Sequence, residues 1–111
     1  MAGWYELSKT DKGQYTFVLK AGNAEVILRS EQYEAKASAQ NGIASVQKNS
    51  ADDARFARAT AKDGRTYFNL KAGNHQIIGT SQMYKDEAGR DNGIKSVKTN
   101  GPSTTIKDLT A

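Results

Sequence analysis

The sequence contains no cysteine, a single proline, a single histidine and no apolar run long enough to cross a bilayer. Each shortage closes a class of chemistry. Without cysteine there is no disulfide framework, thiol nucleophile or thiolate metal site. A membrane span needs about 20 consecutive apolar residues, and nothing here approaches that. The start, Met1-Ala2-Gly3-Trp4-Tyr5-Glu6, has neither the basic nor the apolar region of a secretory signal. A cytoplasmic protein with no membrane partner is therefore expected. Charge of one sign is missing too: 16 Lys and Arg oppose 12 Asp and Glu, a net charge of +4. Most basic residues have an acidic one nearby, which reads as solvated mixed-charge surface rather than a polybasic arm.

What is present is a duplication. Within 111 residues, enough for one compact domain over 1–111, Lys20-Ala21-Gly22-Asn23 recurs as Lys71-Ala72-Gly73-Asn74. At the same spacing Asn41-Gly42-Ile43-Ala44-Ser45-Val46 recurs as Asn92-Gly93-Ile94-Lys95-Ser96-Val97. Ile27, Ser30, Tyr33, Ala37 and Asn49 meet Ile78, Ser81, Tyr84, Ala88 and Asn100. Fourteen of the thirty positions from Lys20 to Asn49 are identical without a gap, where chance at ordinary composition gives about two. The domain is thus expected to consist of two repeats, about 3–53 and 54–110.

Each repeat reads as strands followed by a helix. Trp4–Lys9, Tyr15–Lys20 and Glu25–Ser30 are short, rich in aromatic and β-branched residues, and separated by turn clusters at Asp11-Lys12-Gly13 and Gly22-Asn23. The second repeat offers Arg55–Thr60, Tyr67–Lys71 and Gln76–Ser81. Phe17 and Leu19 alternate with Thr16, Val18 and Lys20, as Phe68 and Leu70 do with Tyr67, Asn69 and Lys71, and mark the buried side. The period then changes to 3.6: Ala39, Gly42, Ile43 and Val46 form one helical face, repeated by Gly93, Ile94 and Val97. Asp86 suits an N-cap. Asn49 and Asn100 sit where a left-handed residue would end each helix. Thr104–Leu109 suggests a final strand. A mid-helix glycine costs about 1 kcal/mol relative to alanine, so its recurrence at Gly42 and Gly93 implies close approach of the helix backbone to a neighbour.

The order of elements and the motifs Phe-x-Leu-Lys-Ala-Gly-Asn, Ser-x-x-Tyr and Asn-Gly-Ile-x-Ser-Val, present twice, resemble the YegP-like family of small bacterial proteins. The closing Ile106-Lys107-Asp108-Leu109-Thr110 is similar as well. The resemblance implies a three-strand, one-helix, one-strand unit. Two such units would share one antiparallel sheet and exchange terminal strands; single-copy relatives would reach this by dimerising. It implies no activity. One departure is that Ala24 and His75 stand where glycine often follows the turn asparagine, which leaves the turn type open. The expected fold is α+β: one antiparallel sheet with two helices packed on one face.

Catalytic chemistry finds few candidates. His75, the sole imidazole, lies beside a turn and is replaced by Ala24 in the first repeat, so it reads as an exposed turn residue. The acidic doublets Asp52-Asp53 and Asp86-Glu87 fit no zinc or calcium spacing, and no glycine-rich loop opens a helix. No catalytic, cofactor-binding or metal-ligating residue is nominated. The leading expectation is a monomeric, non-enzymatic module that binds a macromolecule through the sheet face without helices, with Trp4, Thr16, Val18, Lys20, Tyr67, Asn69 and Lys71 as its surface. A protein or peptide partner is favoured over nucleic acid. The alternatives are weak single-stranded nucleic-acid binding, from the basic balance and interleaved rings, and an enzyme of unrecognised type.

Overall fold

Alternation along the strands sets the architecture. In the computed structural model, which describes residues 3–110, Tyr5 and Leu7 are buried on β1 (Trp4–Lys9), and Phe17 and Leu19 on β2 (Tyr15–Lys20). β3 (Val26–Arg29) completes the first set, and α1 (Lys36–Asn49) follows. A short 3-10 turn at Asp53–Arg55 leads into β4 (Phe56–Thr60), then β5 (Thr66–Lys71), β6 (Ile77–Thr80), α2 (Glu87–Asn100) and β7 (Ile106–Asp108). Met1, Ala2 and Ala111, part of the expected domain span, lie outside the described residues.

The result is an α+β structure with a single mixed sheet in the order β4-β5-β6-β3-β2-β1-β7. The expectation of a purely antiparallel sheet is corrected at β7, which runs parallel to β1. Alternating hairpins impose antiparallel pairing only on strands joined by tight turns. β7 instead arrives from across the sheet after α2: Tyr5 N–H donates to Thr105 O and Leu109 N–H to Leu7 O. Only the second repeat supplies such a closing strand. After α1 the chain passes through the 3-10 turn into β4, at the far edge.

One core joins both repeats. Tyr5, Leu7, Phe17, Leu19, Leu28, Phe56, Phe68 and Leu70 belong to the same buried cluster as Ile43 and Val46 of α1 and Ile94 and Val97 of α2. Each such side chain contributes about 1.5–3 kcal/mol on burial. Aromatic packing is itself duplicated. Phe17 meets Tyr5 edge-on at 6.0 Å and stacks on Tyr33 at 6.3 Å; Phe68 meets Phe56 at 5.6 Å and stacks on Tyr84 at 6.4 Å. Burial pushes the Tyr5 hydroxyl well above its ordinary pKa, and that hydroxyl donates to Gly101 O at 2.6 Å. The repeated serines are structural: Ser30 Oγ accepts from Phe17 N–H and donates to Glu31 O, as Ser81 does for Phe68 and Gln82. The radius of gyration, 13.3 Å, matches the roughly 13 Å of a compact chain this long.

The recurrent glycines are needed for close approach. A Cβ on Gly42 would lie 2.6 Å from Tyr33 Oη and 2.8 Å from Phe17; on Gly93 it would lie within 3.1 Å of three Tyr84 ring and hydroxyl atoms. The neighbour is the tyrosine that stacks on the strand phenylalanine.

Two local expectations change and one feature is new. Asn49 and Asn100 are not left-handed caps: Ser50 and Gly101 after them keep right-handed dihedrals. The asparagine amides fold back to donate to Ser45 O and Ser96 O, each at 2.8 Å. Positive φ in the second hairpin of each repeat falls on Ala24 and His75, both at 69°, rather than on Gly22-Asn23 or Gly73-Asn74. Asn23 and Asn74 instead accept the N–H two residues on, from Glu25 and Gln76. Finally, a bulge shifts the register at Leu19/Lys20 and at Leu70/Lys71. It lets consecutive residues, Ile27-Leu28 and Ile78-Gly79, be buried together.

Candidate interaction face

Strand residues pointing away from the core form one continuous row across all seven strands. The pairings run Lys107–Glu6, Glu6–Val18, Val18–Arg29, Arg29–Thr80, Thr80–Asn69 and Asn69–Ala57. Flanking it are Trp4, Lys20 and Val26 at one end and Tyr67, Lys71 and Ile77 at the other. The seven residues singled out from sequence all lie on this face and are all half-buried. They form two groups: Trp4, Thr16, Val18 and Lys20 on β1 and β2, and Tyr67, Asn69 and Lys71 on β5. β3 and β6 separate the groups by three strand spacings, about 14 Å. The residues between them, Val26, Arg29, Ile77 and Thr80, were not legible from sequence because the bulges break the alternation that would have assigned them a face.

Electrostatics differ between the two groups. Glu6 accepts from Trp4 Nε1–H at 2.9 Å and pairs with Lys20 Nζ at 3.1 Å. The indole hydrogen bond, helped by Lys20, holds the Glu6 carboxyl below its usual range. Lys107 Nζ sits 4.5 Å from the Trp4 ring centre. The Trp4 ring is therefore covered by the closing strand rather than presented bare. At the other end Thr80 donates to Asn69 Oδ1 at 2.8 Å. Arg29 and Lys71 make no ion pair among the described residues. Four cations, Lys20, Arg29, Lys71 and Lys107, thus share the face with one carboxylate.

His75 is exposed in its turn, at positive φ. Among the described residues no group of three or more His, Cys, Asp or Glu is placed to share a metal ion, and no helix is long and apolar enough to cross a membrane.

Known proteins share this architecture and its duplication. The profile of a domain of unknown function, DUF1508, matches residues 11–56 and again 61–108. The chain belongs to this family. A DUF1508 relative, the UPF0339 protein of Acinetobacter baylyi, is 67% identical over 110 residues, covering 99% of both chains. The UPF0339 protein YegP of Escherichia coli strain K12 is 59% identical over 110 residues, covering 99% of this chain and all of the relative. The solution structure of the Shewanella oneidensis UPF0339 protein is similar with a TM-score of 0.94 at 66% identity, covering 99% of this chain and 93% of that one. The E. coli YegP solution structure, that of a protein of unknown function, reaches 0.95 at 58% identity, covering 100% and 96%. The two DUF1508 matches take in β2 to α1 and β5 to β7, one strand–strand–helix run each, so the resemblance in sequence to the YegP-like family holds in three dimensions. None of these relatives carries a function to this chain.

Proposed function

We propose that this DUF1508 protein is a non-enzymatic, monomeric, cytoplasmic binding module that holds an acidic segment of a partner protein against the outward sheet face. Both helices are read as lying on the core side, which leaves the opposite face without a helix. The supporting observation is the charge of that face: Lys20, Arg29, Lys71 and Lys107 against Glu6 alone, with the apolar Val18 and Val26 beside Lys20 and Ile77 beside Lys71. Such a surface favours an anionic polypeptide by complementarity and faster encounter, while the apolar residues contribute contact area. Arg29 and Lys71, without ion-pair partners among the described residues, are the cations open to a ligand.

Titration of the protein with a Glu-rich peptide, followed by Trp4 fluorescence, tests this. Saturable binding that weakens with salt and is lost in Arg29→Glu/Lys71→Glu supports the reading. No binding at low salt, or equal binding by the double variant, removes it. Single-stranded nucleic-acid binding is a second reading, resting on Tyr67 and Trp4 beside these cations. It predicts oligonucleotide affinity that falls steeply with salt and depends on Tyr67.

A further inference from the structure

Two cavities of about 580 and 200 Å³ lie between a helix of one repeat and the β-hairpin turn of the other, the larger reaching Ile77 at the margin of the sheet face. The larger is bounded by Tyr33, Asn41, Gly42 and Ser45 of the first repeat and by Asn74 and Ile78 of the second. The smaller is bounded by Tyr84, Asn92, Gly93 and Ser96 and by Asn23 and Ile27. Every one of these residues meets an identical residue under the internal repeat, so the same groove has been built twice, each time across the repeat boundary.

Folding accounts for most of the shared residues. The glycines admit a tyrosine, the turn asparagines hold their hairpins, Ser45 and Ser96 face the Asn49 and Asn100 amides, and the isoleucines are core. Asn41 and Asn92 are left over. Both are exposed, and neither makes a side-chain hydrogen bond among the described residues. Of the other exposed helix positions, Gln40, Ala44 and Lys48 differ from Asp91, Lys95 and Thr99, and Ala37 matches Ala88. The phenol of Tyr33 also makes no hydrogen bond among the described residues and stands against bare helix backbone at Gly42.

The wall chemistry limits what could enter. Neither groove is lined by lysine or arginine, and each carries one carboxylate: Glu31 across from Gln76 in the larger, Glu25 bonded to Gln82 Nε2 at 3.3 Å in the smaller. Phosphates and other anions would meet that carboxylate with no lysine or arginine to offset it, and with His75 of the larger groove as the one imidazole. Amides and hydroxyls that both donate and accept, beside a tyrosine and an isoleucine, match instead a ring with hydroxyl or amide groups on its edge and an apolar face.

We infer that the two grooves are equivalent sites for an uncharged, sugar-sized ligand bearing hydroxyl or amide groups, with Asn41 and Asn92 as its principal hydrogen-bonding contacts. The larger groove, within the roughly 300–1,000 Å³ range of small-molecule sites, binds more tightly. The test is a titration of the ¹⁵N-labelled full chain with N-acetylglucosamine, with inorganic phosphate in a parallel arm. The expected result is saturable movement of the Asn41 side-chain and Gly42 amide signals in the millimolar range, with weaker movement at Asn92 and Gly93. Asn41→Ala, at an exposed position, should weaken the larger site about ten-fold, the loss of one or two good hydrogen bonds, and leave Asn92 responding. Arg29→Glu/Lys71→Glu should leave both responses intact, which separates this outcome from the fate of the sheet face. No saturable movement at either groove, movement unchanged by Asn41→Ala, or movement with phosphate alone would overturn the inference.

Discussion

Replacing Gly93 by alanine sets two known quantities against each other. In an unobstructed helix interior the change stabilises by about 1 kcal/mol. Here the new methyl would stand 2.2 Å from Tyr84 Oη and 2.6 Å from its Cζ, whereas carbon contacts are comfortable near 3.5–4.0 Å. The ring must withdraw by more than an ångström, yet it is stacked on Phe68 at 10°. Overpacking of this kind costs about 1–3 kcal/mol, and three close atoms place this site toward the upper end. The net expectation is a loss of about 1–2 kcal/mol, which at about 4–8 °C per kcal/mol for a chain near this length lowers Tm by about 4–16 °C. Thermal and urea unfolding of Gly93→Ala, Tyr84→Leu and the double variant provide the measurement. In the Tyr84→Leu background the obstruction is gone, and Gly93→Ala should become neutral or stabilising. If Gly93→Ala equals or exceeds the parent in stability with Tyr84 present, the close-approach account of both helical glycines fails.

Other expectations rest on separate features. Asp86 Oδ1 accepts the Gly89 N–H at 2.8 Å, while Ala35 at the equivalent end of α1 makes no side-chain cap; Asp86→Ala should cost about 1 kcal/mol and Ala35→Asp should gain up to about that much in urea unfolding. Ala24→Gly and His75→Gly relieve a left-handed residue at about 1–2 kcal/mol against an unfolded-state entropy cost of about 0.4–1, so each should raise the urea midpoint slightly; a fall in both would contradict the turn geometry. The Lys36 ammonium, with Thr110, lowers the Asp108 carboxyl to about 2, and Lys98 and Arg65 lower Asp53 and Asp63. Depressed carboxylates contribute stability above their unfolded pKa of about 4 and lose it as protons bind at lower pH. Stability should therefore decline between pH 5 and pH 2, and Lys36→Gln should flatten part of that decline; a slope unchanged in Lys36→Gln would dismiss the Asp108 contribution.

Sequence periodicity carried the strands, both helices and the centre of the core, because burial of Phe17, Leu19, Ile43 and Val46 dictates the spacing of apolar residues, but it did not single out Ile27, Leu28, Phe56 or Ile78. The same reasoning failed where geometry depends on distant partners. β7 pairs with β1 from the other end of the chain, and no local pattern records whether such a pair is parallel. The bulges hid Arg29 and Ile77 from the outward face by inserting a residue into the alternation. Trp4 was legible as an outward ring, but its cover, Lys107, lies on the closing strand. The grooves were missed for a similar reason: Asn41 and Asn74 carry clear repeat identities, yet only the crossing of α1 over the second repeat brings them together.

That crossing is the central claim: each repeat completes the other, and neither is a folding unit alone. It is tested most directly by urea unfolding of the intact chain, followed residue by residue through the Gly42 and Gly93 amide signals. The account predicts one transition with a common midpoint for both. Two separated midpoints, with one repeat still folded while the other is lost, would contradict it.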